Sequence, residues 1–385
     1  MDSSYVPRTV DLSKLLAKKS HFLFGPRGTG KTRLIQHGLP EAVVVDLLSD
    51  DVYSRLLRRP SALVEMIPSD ARRAPVVIDE VQKLPALLDE VHRLIEQRSV
   101  RFLLTGSSAR KLRRGAANLL GGRAWEARLF PLTSAEIGDG FDLARFINTG
   151  GLPAIYFSEA PADELKSYVR LYLKEEIQTE ALVRRFDHFA RFLDVAALAN
   201  TEELNFEAVA SDSGVPARTV ASYFEILEDT LLGFQVRSFR RTKTRKAIKR
   251  SKFYFFDVGV AGALARRGQV ELGSPAFGKA FEHVILQELR AYLSYRNLDL
   301  DLCYWRSTTQ QEVDAVVGTE LAIEIKGTER IGERAARGLQ ALREEKLIRS
   351  YLVVSRDPIP RTFDGIRAVP WQQFLRELWS DALLR

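Results

Sequence analysis

His21-Phe-Leu-Phe-Gly-Pro-Arg-Gly-Thr-Gly-Lys-Thr-Arg-Leu-Ile35 decides how the first part of the chain folds. Phe22 to Phe24 is a short apolar run suited to a buried parallel strand, and Lys31 to Gln36 opens a helix. Between them, Gly25 to Thr32 fits G-x-x-x-x-G-K-[ST]. Gly25, Gly28 and Gly30 let the backbone turn tightly, so that its N–H groups and the positive end of the helix face a phosphate chain. Gly25, Pro26, Arg27, Gly28, Thr29, Gly30, Lys31 and Thr32 are therefore the expected cradle for ATP. Lys31 would reach the β- and γ-phosphates, and Thr32 would hold Mg²⁺ through its hydroxyl. A glycine-rich turn that binds nothing is the alternative, and the flanking strand and helix speak against it.

The chain around this stretch has 385 residues, enough for two to four domains. An apolar content of 45% and a charged content of 28% are those of a soluble globular protein. No apolar run approaches a membrane-spanning length, and Met1-Asp-Ser-Ser-Tyr is not a signal peptide, so a cytoplasmic location is expected. Cys303 is the one cysteine, which excludes an intrachain disulfide and disfavours a thiolate zinc site. The net charge of +7 is compatible with a nucleic-acid partner.

Downstream, Ala42 to Leu47 and Pro75 to Asp79 are further strand-like runs, and the second ends in Asp79-Glu80. An apolar strand with two acids at its tip is what Mg²⁺-dependent hydrolysis requires. Asp79 would hold the metal through water and Glu80 would activate the attacking water. After a helix over Leu87 to Gln97, Val100 to Thr105 forms the next strand, and Ser107 beyond its tip is placed to sense the γ-phosphate. Strands alternating with helices predict a parallel sheet with its ligand at the strand C-terminal ends.

The P-loop, Asp79-Glu80 and Thr105-Gly-Ser-Ser108, in that order, resemble an AAA+ ATPase. Leu119-Leu-Gly-Gly-Arg123, Leu129-Phe-Pro-Leu-Thr-Ser-Ala-Glu-Ile137, Gly150-Gly-Leu-Pro153 and Phe255-Phe-Asp-Val-Gly259 resemble one prokaryotic branch of it. Members of that branch join the ATPase to a C-terminal domain long described only as of unknown function. The resemblance implies a homo-oligomeric ring, a hexamer among the options, in which an arginine completes the neighbour's site. Arg123 is the first choice for that finger, Arg110 or Arg114 the reserve, and a surface arginine the alternative.

Residues 1–135 are expected to form the ATPase core. The helical patterns Glu164 to Leu182 and Arg184 to Leu198 suggest a lid over 136–198. Asn205 to Gly214 and Ala217 to Asp229, around Val215-Pro216, read as a helix-turn-helix, followed by a strand over Leu231 to Phe239 as in a winged variant spanning 199–250. Arg218 would face a DNA groove, or the module serves packing. Arg237 to Lys252 contains no acid. Its Arg240, Arg241, Lys243, Arg245, Lys246, Lys249 and Arg250 would track a phosphate backbone, or form a solvated connection.

Residues 251–385 begin with a strand-like run over Phe253 to Gly259. Glu282 lies on a helix over Gly278 to Tyr295, Asp314 on a strand from Glu312, and Glu324 and Lys326 two apart on one face of the next strand. This Glu…Asp…Glu-x-Lys order resembles the PD-(D/E)xK nuclease superfamily, although Val313 replaces the usual proline before Asp314. The resemblance implies a second Mg²⁺ or Mn²⁺ on Glu282, Asp314 and Glu324, with Lys326 assisting hydrolysis; an exposed hairpin is the alternative. The expected whole is an α/β protein: a P-loop AAA+ core with a helical lid, a winged helix and a nuclease-like domain. It would act on branched DNA as a motor. A nucleotide-gated switch on protein partners and an ATP-licensed endonuclease are its rivals.

Overall fold

The structure, a computed structural model, describes residues 5–67, 74–108, 120–172 and 185–384, the side chain at 172 excepted. The chain divides into two compact units, one of residues 1–132 with 229–232 and the other of 133–228 with 233–385. The expected lid, winged-helix and nuclease-like segments thus fall almost wholly within one unit.

Among its described residues the first unit holds five strands: β1 (Ser20–Phe24), β2 (Val43–Asp46), β3 (Val76–Asp79), β4 (Phe102–Gly106) and β5 (Ala124–Arg128). They form a parallel sheet in the order β2-β3-β4-β1-β5. β1, β3 and β4 are buried along their whole length, as near-continuous apolar runs must be when a sheet is covered on both faces. The helices Lys31–Gly38 and Leu87–Arg98 agree with their sequence patterns. β5 is not foreshadowed by the sequence, because Ala-Trp-Glu-Ala-Arg carries too little apolar patterning. Its pairing with β1 makes it a strand.

The described residues of the second unit hold an eight-stranded mixed sheet in the order β12-β13-β11-β10-β9-β8-β6-β7. Its strands are β6 (Gly233–Ser238), β7 (Lys252–Phe255), β8 (Leu302–Arg306), β9 (Glu312–Val317), β10 (Leu321–Lys326), β11 (Ser350–Ser355), β12 (Arg361–Phe363) and β13 (Ile366–Pro370). The helix Pro275–Tyr295 buries Phe281, Val284, Ile285 and Leu289 in one core with Ala315, Ile323 and Val354 of the sheet.

Three expectations change here. The helix-turn-helix pair, Phe206–Ser213 and Ala217–Asp229, turns at Gly214 (φ 64°) as its sequence suggests. Its following strand β6, however, pairs antiparallel with β7 and parallel with β8, so it belongs to the large sheet. The run from Phe253 stops being a strand at Phe255, since Asp257 caps the helix Val258–Leu264 by accepting from the amides of Gly259 and Val260, 3.0 Å each. Asp257 also accepts from Gly151 N at 2.7 Å, and a Cβ at Gly150 (φ 72°) would collide with its carboxylate. The Gly-Gly-Leu-Pro and Phe-Asp-Val-Gly signatures thus form one structural clasp. Finally, the helical pattern expected over Glu164 to Leu182 starts earlier, at Pro161, and passes at Tyr168–Tyr172 into a π-helical turn; its remainder, 173–182, lies outside the described residues, and Phe186–Leu198 is the helix expected from Arg184. The reserve arginines Arg110 and Arg114 lie outside the described residues. Among the described residues no helix is long and apolar enough to cross a membrane.

Candidate functional site

Parallel pairing brings the tips of β1, β3 and β4 to one edge of the first sheet. The loop after β1 is shaped by Gly28 (φ 82°) and Gly30 (φ 91°), conformations that L side chains avoid. A Cβ at Gly25 would lie 2.5 Å from Leu129 O, so glycine is required there for close packing. Thr29 is buried with its hydroxyl donating to Pro26 O at 2.8 Å. Arg8, which no sequence motif singles out, braces the loop by donating to Thr29 O at 2.7 Å and to Phe130 O at 2.6 Å. Lys31 is buried, and its ammonium donates to Gly25 O at 2.7 Å and Pro26 O at 3.3 Å. Arg27 and Thr32 are exposed.

Beside this loop, the Thr105 hydroxyl donates to Asp79 Oδ1 and accepts from Glu80 N at 3.2 Å. Glu80 has φ 58°, and this left-handed turn folds the following residues back toward β4. Gln82, buried, donates from Nε2 both to the Glu80 carboxylate and to Ser107 Oγ at 3.1 Å. Sequence reasoning misses Gln82, whose only signal is its place two residues after the acidic pair. Asp79, Glu80 and Ser107 are therefore joined in one network of hydrogen bonds. Thr32 and Asp79 offer a hydroxyl and a carboxylate, hard oxygen donors that fit Mg²⁺ together with phosphate oxygens and water. Arg123 pairs with Glu96 of its own chain and also donates to Gly121 O at 3.3 Å.

In the second unit Glu282, Asp314, Glu324 and Lys326 come together, and Lys252, Tyr254 and Glu312 join them. Lys252 Nζ lies 3.1 Å from Glu282 and 2.7 Å from Glu312, with 6% of its side chain exposed. The Tyr254 hydroxyl donates to Glu282 at 2.6 Å, Ile325 N donates to Asp314 Oδ2 at 2.7 Å, and Lys326 Nζ lies 2.5 Å from Glu324. Burial pushes the Glu282 carboxyl up to about 7, against the pull of Lys252. Burial likewise raises Asp314 and Glu324. For Lys252 burial acts downward, but Glu282, Asp314 and Glu312 outweigh it and hold the ammonium charged. Removing either partner of such a pair leaves a buried charge and costs about 3–5 kcal/mol.

The side chains expected to ligate a metal, Glu282, Asp314 and Glu324, each meet a donor of the protein itself. Among the described residues no group of three His, Cys, Asp or Glu side chains is placed to hold a metal ion. Protein donors hold Glu282 Oε1, Asp314 Oδ2 and Glu324 Oε1.

Of the basic run, Arg240, Arg241, Lys243, Lys246, Lys249 and Arg250 are exposed, whereas Arg245 pairs with Glu344 at 2.7 Å. The run is fastened: Glu345 accepts from the amides of Lys243, Thr244 and Arg245, and Ile248 N donates to Arg306 O at 2.8 Å. Arg237, Arg240 and Arg241 line a concavity of about 740 Å³ with Asp301 and Glu228. Arg218 is exposed near the start of its helix.

Comparison with known proteins bears on these sites separately. Residues 17–138 match the family model described as an AAA domain; 140–271 and 277–374 match two domains of unknown function, DUF8612 and DUF4143. Among curated proteins none matches the chain. One similar solved structure is a signal transduction ATPase with numerous domains, carrying a tetratricopeptide repeat sensor, from Pyrococcus horikoshii. It is 15% identical over 77% of this chain and 48% of its own length, with a TM-score of 0.26; the chain thus spans about half of it. The AAA-domain match and the parallel sheet together support a P-loop ATPase of the AAA type in the first unit, and nucleotide binding by it.

Proposed function

We propose that the chain is a Mg²⁺-dependent ATPase that remodels DNA, with branched or junction DNA as the favoured substrate. The observation that carries the ATPase reading is the network of Asp79, Thr105, Glu80, Gln82 and Ser107 at the strand tips beside the P-loop. Lys31 leaves the loop carbonyls for the β- and γ-phosphates, and the loop amides and helix end orient the chain of phosphates. Thr32 and Asp79 would hold Mg²⁺, which would supply neutralisation of the charge developing on the transferred phosphoryl group. Glu80 orients the attacking water and accepts its proton, while Gln82 holds the carboxylate in place and Ser107 reports on the γ-phosphate. In a ring of identical chains Arg123 would exchange Glu96 for the neighbouring subunit's nucleotide.

The DNA reading is supported by the six exposed cations between Arg240 and Arg250, carried on backbone that is tied down rather than loose. Ordered cations bind a polyanion without a large ordering cost, and each phosphate they neutralise releases counterions. The deciding measurement is the ATPase rate with single-stranded, duplex and four-way-junction DNA, the same tubes being run on a gel. Stimulation by the junction with separated, uncut arms is expected. Lys31→Ala should abolish turnover and leave the fold intact. Changing the six cations to glutamine should flatten the salt dependence of binding, by about 0.9 in log–log slope for each phosphate no longer neutralised. An ATPase rate indifferent to every DNA would instead favour the switch acting on protein partners.

A further inference from the structure

We infer that the acidic cluster of the second unit is a metal-free site in which the Lys252 ammonium stands where a catalytic divalent cation would be needed. The inference does not depend on whether DNA is the partner.

A divalent metal demands several carboxylate oxygens converging on one point, unprotonated and free of competing donors. In this cluster Lys252 engages Glu282 and Glu312 from within the protein, on a side chain that is 6% exposed. Tyr254 donates to the same Glu282 oxygen, so both the hydroxyl and the ammonium would have to be displaced before that oxygen could ligate a metal. Asp314 Oδ2 is held by the Ile325 amide, on the strand that carries the Glu-x-Lys pair. Lys326, the lysine that a metal-assisted hydrolysis would aim at water or phosphate, sits 2.5 Å from Glu324 instead. The other oxygen of Glu324, Oε2, is buried and has no hydrogen-bond partner among the described residues. A single such oxygen is not a metal site, but it is a donor that becomes available if the internal cation is taken away.

The replacement is favourable for a physical reason. A tethered ammonium loses less entropy on pairing than a cation captured from solution, and its hydration shell is less costly to shed than that of Mg²⁺. The Lys252 ammonium also lies over the Tyr304 ring, 5.4 Å from its centre. What remains is a neutralised, rigid platform at the heart of the sheet rather than a hydrolytic centre.

The test is Mn²⁺ binding, followed by paramagnetic resonance on the nucleotide-free full chain, for the wild type, Lys252→Met and Asp314→Asn. The wild type should take up no Mn²⁺ that Asp314→Asn removes. Lys252→Met should melt at a lower temperature, gain one equivalent of Mn²⁺ and recover part of the lost melting temperature when it does. A wild-type equivalent that disappears in Asp314→Asn would overturn the inference, and so would a folded Lys252→Met that gains none. Should Lys252→Met fail to fold, the wild type against Asp314→Asn decides by itself. ATPase assays on the same proteins separate this result from the motor reading, because turnover can fail to respond to DNA whichever way Mn²⁺ binding falls.

Discussion

At the tip of β3 in the first unit, Asp79 is met by the hydroxyl of Thr105, and the amide of Gln82 ties Glu80 to Ser107. On β9 and β10 in the second, and on the helix beside them, Glu312, Glu324 and Glu282 are met by the ammonium groups of Lys252 and Lys326. Both places gather acids on strands, and by residue type alone they look alike. A hydroxyl or an amide orients a carboxylate and leaves its charge available; an ammonium cancels it. The first arrangement suits an arriving cation and a reacting phosphate, whereas the second has completed its electrostatics internally. Partners, rather than acids, are what differ between the two places.

The largest effect should come from exchanging one acid in each place. Glu80→Gln is expected to lower kcat by about 10²–10³-fold, since a general base contributes on that order. Glu324→Gln should leave ATP turnover within about twofold, because only interactions that strengthen in the transition state change the rate. Equal losses in the two variants, measured by phosphate release, would break the contrast.

A smaller effect sharpens it. Gln82→Ala should reduce kcat about tenfold with little change in KM, because positioning the base matters in the transition state more than in substrate binding. A rise in KM with kcat unchanged would mean that Gln82 serves the loop rather than Glu80.

The smallest effect uses a third buried acid as a control. Glu288 accepts from Ser134 N at 2.6 Å, Ser134 Oγ at 3.0 Å and Trp379 Nε1 at 2.7 Å, and burial pushes it up to about 7, with Glu136 adding to the rise. A carboxyl raised in the folded state binds its proton more tightly there than in the unfolded chain. Its stabilising contribution is therefore complete below the unfolded value near 4 and is lost as pH climbs through about 7. Glu288→Gln should remove that decline, worth roughly 1–3 kcal/mol between pH 4.5 and 7.5 in urea unfolding of the chain. An unchanged slope would place the titration on another group, Glu282 or Asp257, which burial also raises, to about 7 and about 6.

Much of this molecule is legible in its residues because the governing interactions are local. The apolar runs before Gly25, Glu80 and Gly106 specify buried strands, and the order strand, glycine loop, helix specifies a phosphate cradle wherever it occurs. Period-two spacing puts Glu324 and Lys326 on one face, and Pro216 and Gly214 delimit the paired helices. These features follow from backbone sterics and side-chain alternation over a few residues.

Other features depend on residues distant in sequence, and packing alone decided them. Lys252 reads as the last cation of an acid-free run; in the fold its side chain is buried and its ammonium meets Glu282 on the helix and Glu312 on β9, 30 and 60 residues on. Gln82 acquires its role from the left-handed turn at Glu80, which aims it at Ser107 beyond another strand. Ala124–Arg128 is a strand because β1 offers it an edge, and Asp257 closes a clasp on Gly151 across 106 residues. A sequence determines which groups carry charge and what the chain does locally. Which charge meets a partner depends on distances set by the fold, and at a few ångströms in a low dielectric that proximity determines whether an acid remains free to act.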